Sequence, residues 1–141
     1  MGIEFEDNRV KVKDALYEAG EAFLHEAGGE LQSRIRRNSR VDTGQTKGSY
    51  EYHISGSYMA GEQYCQIGSN LENAIWEEFG TGEYALHGDG RKGGWVHQAP
   101  KGEFYFTRGK TPNRPMHRAF TELKNKLIKR FAELLKNKIG G

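Results

Sequence analysis

Two long helical patterns, one towards each end, constrain the fold of this chain more than any other feature of its sequence. An apolar residue recurs every three or four positions over residues 12–35, and again over residues 116–134. This spacing places the apolar side chains on one face of an α-helix, and most of the charged residues between them fall on the opposite face. The chain is therefore expected to contain two long amphipathic helices that share a core.

The sequence also marks a weak point in the first helix and a start for the second. Gly28 and Gly29 each cost about 1 kcal/mol relative to alanine in a helix, so we expect a kink or a break there. Asn113 is followed by Pro115, and proline is favoured in the first turn of a helix. Asn113 is accordingly predicted to be the N-cap of the second helix.

The residues between the helices alternate in the manner of β-strands. Residues 50–57 and 64–68 are separated by turn residues and predict one hairpin. Residues 95–97 and 104–106 lie on either side of the turn sequence A-P-K-G and predict two further strands. We therefore predict an α+β fold, in which an antiparallel sheet of about four strands packs against long N-terminal and C-terminal helices.

A short aromatic helix lies at the centre of the chain, where residues 72–84 read E-N-A-I-W-E-E-F-G-T-G-E-Y. Trp76 and Phe79 share one face of this helix. Gly80 and Gly82 end it, because glycine readily adopts the left-handed backbone that a C-cap requires. Residues 83–94 have no apolar period and several glycines, and they predict a long glycine-rich loop.

Length and composition fit one domain that spans residues 1–141. The hydrophobic content of 35% is enough for a thin core. No apolar run approaches the ~18 residues of a membrane helix, and the first residues lack the pattern of a secretory leader. Cys65, the one cysteine, is more typical of a small strand residue than of a nucleophile. These features favour synthesis in a reducing cytoplasm, with no membrane partner.

Charge is distributed unevenly along the chain. Residues 108–141 carry ten lysines and arginines against two acids, whereas the preceding residues carry eleven against seventeen. A chain with this polarity could bind an anionic partner through its C-terminal part, or pack that part against an acidic neighbour. One function that this permits is that of a nucleic-acid-binding accessory protein using the basic segments 34–40 and 108–138. Neither segment shows the regular interleaving of aromatic and basic residues that favours single-strand binding.

Residues with catalytic chemistry do not form a strong pattern. The sequence D-T-G occurs once, whereas an aspartic protease needs two such aspartates. Adjacent Glu77 and Glu78 point to different faces of a helix, so they cannot readily ligate one magnesium ion together with Asp89. A weak metal-binding pattern is formed by His87, Asp89, His97 and Glu83. We predict no catalytic residue, no metal site and no cofactor.

Four stretches, taken in order, form a more specific pattern. Residues 41–49 read V-D-T-G-Q-T-K-G-S, and residues 74–82 read A-I-W-E-E-F-G-T-G. The glycine-rich loop follows, with Trp95 and the strand at Phe104. Residues 111–120 then read T-P-N-R-P-M-H-R-A-F. This ordered set resembles the gene-product-ten tail-completion family of long-tailed bacteriophages, also called minor tail or head–tail joining proteins.

The resemblance implies a structural virion protein and not an enzyme. Proteins of this family act in tail completion or head–tail joining at the neck, as part of an oligomeric ring. The implied partners are copies of the same chain and other phage neck or tail proteins, while contact with DNA in the ring lumen is left open. Such a protein is located in the virion tail or neck and is assembled in the cytoplasm of the bacterial host.

A ring of this kind would bring the acidic short helix against the basic C-terminal part of a neighbouring subunit, with the loop becoming ordered on docking. Reversing both glutamates of the short helix to lysine is then expected to weaken assembly and to leave the monomer folded. The residues that we predict at the subunit or partner interface are Trp76, Glu77, Glu78, Tyr84, Arg91, Lys92, Arg114, Arg118, Lys129 and Arg130.

Overall fold

A computed structural model describes residues 9–40 and 44–139 of the chain. The fold is α+β, with a long helix at each end and four short strands between them. In chain order the elements are α1 (Arg9–Asn38), α2 (Gln45–Gly48), β1 (Glu51–Ser57), β2 (Glu62–Gly68), α3 (Glu72–Phe79), β3 (Trp95–Gln98), β4 (Phe104–Thr107) and α4 (Pro115–Ile139). The two long helices and α3 thus form where the apolar periodicity predicts them.

The four strands form two separate antiparallel hairpins, so the prediction of one sheet of about four strands is wrong. β1 pairs with β2 along its whole length, and β3 pairs with β4 with Trp95 opposite Thr107. The first hairpin lies along α1, whereas the second follows the stretch after α3. Alternating side chains indicate that a segment is a strand, but they do not determine which other strand it joins.

α1 and α4 pack against each other through two apolar clusters. One contains Ala27, Leu123 and Leu127, with Phe23 and Leu31 at its edge. The other lies at the C-terminal end of α1 and also includes the residue before β1 and a residue of α3; its members are Ile35, Tyr50, Ala74 and Ala119. The core of the protein is therefore the contact between the two apolar stripes, closed at one end by α3.

Ion pairs join the same two helices along their length. Each connects an acidic and a basic residue that are far apart in sequence, and the pairs are Glu18–Lys138, Glu26–Arg130, Glu30–Lys126 and Arg34–Glu122. Exposed pairs of this kind add little to stability, but they favour one register of the two helices. Part of the charge asymmetry of the chain is thus compensated within one molecule.

α1 is continuous through its central glycines, and the predicted kink or break does not occur. Gly28 is buried against the β1–β2 hairpin, and a side-chain carbon added there would lie 2.6 Å from the ring of Tyr52. A side-chain carbon added at Gly20 would likewise overlap the side chain of Gln63. One added at Gly29 would face open space. Glycine at position 28 therefore permits the close approach of the hairpin rather than a change in helix direction.

The stretch between α3 and β3 covers the predicted glycine-rich loop, and residues 85–94 of it form no helix or strand. It begins with a short 3-10 turn, Gly82–Tyr84. The N–H of Leu86 donates to the carbonyl of Phe79, and the N–H of Gly93 donates to the carboxylate of Glu83. Residues 41–43, which open the first of the four family-like stretches, lie outside the described residues.

Gly28→Ala is expected to lower the free energy of unfolding by about 1–3 kcal/mol, because the new methyl group overlaps the base of the Tyr52 ring. Gly29→Ala is the matched control, since a methyl group at this position meets nothing within 4 Å. Alanine is the better helix former, so the control is expected to gain up to about 1 kcal/mol. Urea unfolding followed by circular dichroism measures both changes. Equal stabilisation by the two substitutions would contradict the close packing of the hairpin on α1.

Candidate functional site: a buried acidic junction and an exposed aromatic hairpin

The last turn of α3 carries two carboxylates that are almost completely buried. Glu77 is 3% exposed and Glu78 is 6% exposed, while Ile75, Trp76 and Phe79 of the same helix remain exposed. The helix is thus inverted, with its acidic side chains inside the protein and its large apolar side chains outside. Burying a carboxylate is costly unless hydrogen bonds or a cation compensate it, so both side chains require partners within the chain.

Glu77 connects three segments of the chain. Its Oε1 accepts hydrogen bonds from the backbone N–H of Arg40 at 3.1 Å and from the side-chain amide of Asn113 at 2.6 Å. Its Oε2 lies 2.6 Å from Nζ of Lys110. Burial by itself raises the pKa of Glu77, but the bonds from Lys110, Arg40 and Asn113 outweigh it and hold that pKa below its ordinary value. The side chain is therefore ionised and fully engaged.

Glu78 caps the N-terminus of α4 from a different helix. Its two carboxylate oxygens accept hydrogen bonds from the backbone N–H groups of Met116 at 2.9 Å and His117 at 3.0 Å. The first N–H groups of a helix have no acceptor within that helix, and a negative charge beside them also interacts favourably with the helix dipole. An N-cap side chain next to the helix in sequence usually accepts these hydrogen bonds. Here Glu78 accepts them from another helix.

The prediction that Asn113 is this N-cap is wrong. α4 begins at Pro115, and Arg114, the residue before it, has a φ of 55°. The side-chain amide of Asn113 instead donates to the backbone carbonyl of Asn38 at 2.7 Å. The guanidinium of Arg118 donates to the carbonyls of both Asn38 and Asn113. The end of α1 is in this way tied to the start of α4, and we name Glu77, Glu78 and their bonded groups the acidic junction.

The sequence F-G-T-G after α3 forms a backbone seam with residues 108–110. The N–H of Thr81 donates to the carbonyl of Lys110 at 2.9 Å, and the N–H of Lys110 donates to the hydroxyl of Thr81 at 2.8 Å. Gly82 and Gly109 both have positive φ, and a side-chain carbon on either would overlap a backbone carbonyl. The two glycines are required by this close approach, which fixes the base of the β3–β4 hairpin.

Glu77 and Glu78 are buried, so they are not available as the acidic surface that, on the sequence alone, is expected to meet the basic part of a neighbouring subunit. Their donors, Lys110 among them, belong to the same molecule. Lysine at position 78 would place a positive charge against the N-terminus of α4, and lysine at 77 would face Lys110. The double reversal is therefore expected to unfold the monomer, instead of affecting assembly alone.

The other predicted interface residues fall into two groups. Those near α3 and the second hairpin are exposed, and they are Trp76, Tyr84, Arg91 and Lys92. The guanidinium of Arg91 lies over the ring of Trp95, 5.6 Å from its centre. Those at the start of α4 or on it are Arg114, Arg118, Lys129 and Arg130. Arg118 and Arg130 are bound within the chain, whereas Lys129 is exposed about three turns beyond Arg118.

The β3–β4 hairpin exposes large apolar side chains on a surface that the sequence did not single out. Val96 is 65% exposed, Phe104 is 69% exposed and Phe106 is 58% exposed. Within the described part of the chain, this hairpin packs extensively on no other helix or strand. A lone two-stranded hairpin is marginally stable in water. An exposed aromatic surface of this kind is typical of a contact with another protein.

A groove of about 890 Å³ lies between this hairpin, α2 and α3. Its aromatic lining consists of Trp76, Trp95, His97 and Tyr105. Lys110 also lines it but is paired with Glu77. The positive charge of the lining therefore comes from Arg40, whose guanidinium is bonded to the carbonyl and hydroxyl of Thr111. The groove, which we name the aromatic groove, has the size of sites that bind small ligands or a few residues of a peptide.

The two histidines considered as metal ligands lie beside aromatic rings. Across residues 9–40 and 44–139, no three histidine, cysteine or acidic side chains are grouped closely enough to hold a metal ion. The ring of His87 lies 5.6 Å from that of Phe79, and the ring of His97 lies 5.2 Å from that of Tyr105. Burial raises the pKa of the Cys65 thiol, which disfavours the reactive thiolate.

Comparison of the chain with protein-family models, with curated proteins and with solved structures finds no match. None of the helices in the described ranges is both long enough and apolar enough to cross a membrane. Any function must therefore be inferred from the geometry of the site and from the resemblance that the four sequence stretches carry.

Glu77→Gln is expected to remove part of the pH dependence of stability. Because the pKa of Glu77 is lower in the folded chain than in the unfolded chain, its carboxylate stabilises the fold above the ordinary pKa of about 4.3. This contribution is lost as the pH falls through the lowered, folded-state pKa. We expect the variant to be about 1–3 kcal/mol less stable at neutral pH, and to converge with the wild type in acid.

Urea unfolding between about pH 7 and about pH 3 measures this difference. Glu72→Gln is the control, because Glu72 is exposed in the first turn of the same helix. It is expected to follow the wild type to within about 0.5 kcal/mol. A constant difference between Glu77→Gln and the wild type across the acid range would show that the charge of Glu77 does not contribute.

Proposed function

We propose that this protein is a structural component of a long-tailed bacteriophage virion, acting in tail completion or head–tail joining at the neck as part of a homo-oligomeric ring. The observation that carries the proposal is the β3–β4 hairpin, whose aromatic side chains are exposed in the single chain. Such a surface favours a state in which another subunit covers it. The resemblance suggests that the assembly is a ring at the phage neck. The exposed hairpin gives a physical reason for the chain to associate.

The positions of the family-like stretches also support the proposal. Residues 74–82 cover most of α3 and one side of the backbone seam, while residues 111–120 cover part of the segment bound by Glu77 and the start of α4. The acidic junction joins these two stretches. The residues that carry the resemblance are thus the residues that fix the base of the projecting hairpin. A rigid base with a projecting element suits subunits that contact one another head to tail in a closed ring.

The alternative, a nucleic-acid-binding accessory protein, has less support because most of its basic residues are engaged within the chain. In segment 34–40 the engaged residues are Arg34, Arg36 and Arg40. In segment 108–138 those with an acidic partner are Arg108, Lys110, Lys126, Arg130 and Lys138. Cations that are already paired release fewer counterions on binding DNA. Contact with DNA inside a ring would depend on exposed lysines of α4, which are Lys124, Lys129 and Lys136.

The proposal predicts self-association that depends on the hairpin. Light scattering of the purified protein over a range of concentrations is expected to show growth towards a ring-sized oligomer, and electron microscopy to show closed rings. Phe104→Ser is expected to leave a folded monomer, because it removes the most exposed aromatic side chain of the hairpin. Phe120→Ser is the matched control, since Phe120 is 54% exposed on α4, outside the hairpin, and this variant is expected to assemble.

Circular dichroism establishes that both variants remain folded. A protein that stays monomeric at every concentration, and binds DNA with an affinity that falls steeply with salt, would contradict the proposal. That result would favour the nucleic-acid-binding function instead.

A further inference from the structure

We propose that the aromatic groove binds the acidic segment at residues 3–7 of a second copy of this chain. The inference rests on the proposed function, because it adds a second contact between copies of the chain, on the face of the hairpin opposite to Val96, Phe104 and Phe106. Three observations carry it: the chemistry of the groove, the sequence of the segment, and the length of α1.

The groove combines apolar surface with positive charge. Trp76 is 43% exposed and Tyr105 is 50% exposed, so both rings are accessible to a ligand. The acid that lines the groove, Glu77, already has its carboxylate bound by Lys110 and by two N–H donors. Of the five lysines and arginines in residues 81–111, Lys110 and Arg108 are paired with Glu77 and Glu83. The other three, Arg91, Lys92 and Lys101, stand against two acids, Asp89 and Glu103. A ligand that offers apolar side chains together with carboxylates would complement this surface.

The first residues of the chain have this composition. Residues 3–7 read I-E-F-E-D, and residues 1–8 contain no lysine or arginine. In an extended peptide, alternate side chains point to opposite sides, so Ile3 and Phe5 could enter the groove while Glu4 and Glu6 face the surrounding cations. Binding of an extended peptide with alternate side chains in a groove is a recurrent mode of recognition.

The segment cannot reach the groove of its own molecule. α1 has 30 residues, and a helix of this length extends about 44 Å. Arg40, which lines the groove, follows the C-terminal end of α1, whereas Phe5 precedes the N-terminal end. The four residues from Phe5 to Arg9 span at most about 14 Å when fully extended. Phe5 therefore remains about 30 Å or more from the far end of its own α1, and the bound segment has to come from another copy.

This contact is heterologous, because the N-terminal end of one copy meets the groove of the next. Repetition of a heterologous contact gives a closed ring or an open filament, depending on the angle between neighbours. The length of α1 then sets the distance between the groove of a subunit and the segment with which that subunit binds its neighbour.

A peptide titration tests the inference. The probe is a fluorescent peptide of residues 1–10, and the receptor is the full chain carrying Ile3→Ser and Phe5→Ser, so that its own segments do not compete. Saturable binding is expected by fluorescence anisotropy, and it is expected to weaken as salt is raised from about 0.05 M to about 0.5 M. A peptide with the same two serine substitutions keeps its charge. It is expected to bind with an affinity that is lower by about tenfold or more.

Two receptor variants locate the site. Trp76→Ala on α3 and Tyr105→Ala on β4 are each expected to weaken peptide binding by about tenfold. Because the two residues belong to different elements, misfolding of the hairpin alone cannot produce both losses, and circular dichroism checks each fold. Absence of saturable binding, equal binding of the serine peptide, or binding that neither receptor variant changes would overturn the inference. Binding of single-stranded DNA in the groove in place of the peptide would also overturn it.

These results are distinguishable from failure of the proposed function. Rings that still form when the full chain carries Ile3→Ser and Phe5→Ser would overturn the inference and leave the proposed function intact. Peptide binding by a chain that forms open filaments would support the inference and count against a neck ring.

Discussion

Two adjacent carboxylates, buried side by side in the last turn of α3, hold the ends of both long helices. Glu77 binds Arg40, two residues beyond α1, and the segment before α4, and Glu78 satisfies the first N–H groups of α4. Leaving the partners of such a buried carboxylate unsatisfied typically costs about 1–3 kcal/mol, which is a large part of the stability of a small domain. The backbone seam at Thr81, and with it the position of the second hairpin, follows from this arrangement.

The periodicity of the sequence predicts α1, α3 and α4 because helical spacing is a local property that each segment carries by itself. Periodicity alone wrongly predicts that Glu77 and Glu78 are on the surface. α3 has an apolar face and a polar face, and the polar face is the one that is buried. Periodicity also misreads Gly28, whose small size matters only because Tyr52 of a distant strand lies against it. Strand pairing, the cap of α4 and the aromatic groove all depend on contacts between distant segments, and no local signal in the sequence indicates them.

The inversion of α3 links the interior to the surface. Because the carboxylates of α3 are used inside the protein, Trp76 and its apolar neighbours remain outside, next to a hairpin whose aromatic side chains are also exposed. The ion pairs between α1 and α4 satisfy much of the charge of the two helices within one chain. What remains exposed is the aromatic groove, lined by Arg40 after the C-terminal end of α1, while the acidic and apolar residues 3–7 precede α1 in the sequence. That polarity is consistent with head-to-tail association of identical subunits.

Hydrogen exchange of single amides in the native protein directly tests whether Glu78 caps α4. The first N–H groups of a helix normally exchange rapidly, because they have no acceptor within the helix. The account predicts that the amides of Met116 and His117 are protected as strongly as that of Leu123 in the middle of α4. Exchange of both amides at the rate of an exposed loop would show that the carboxylate does not hold them, and would contradict the account.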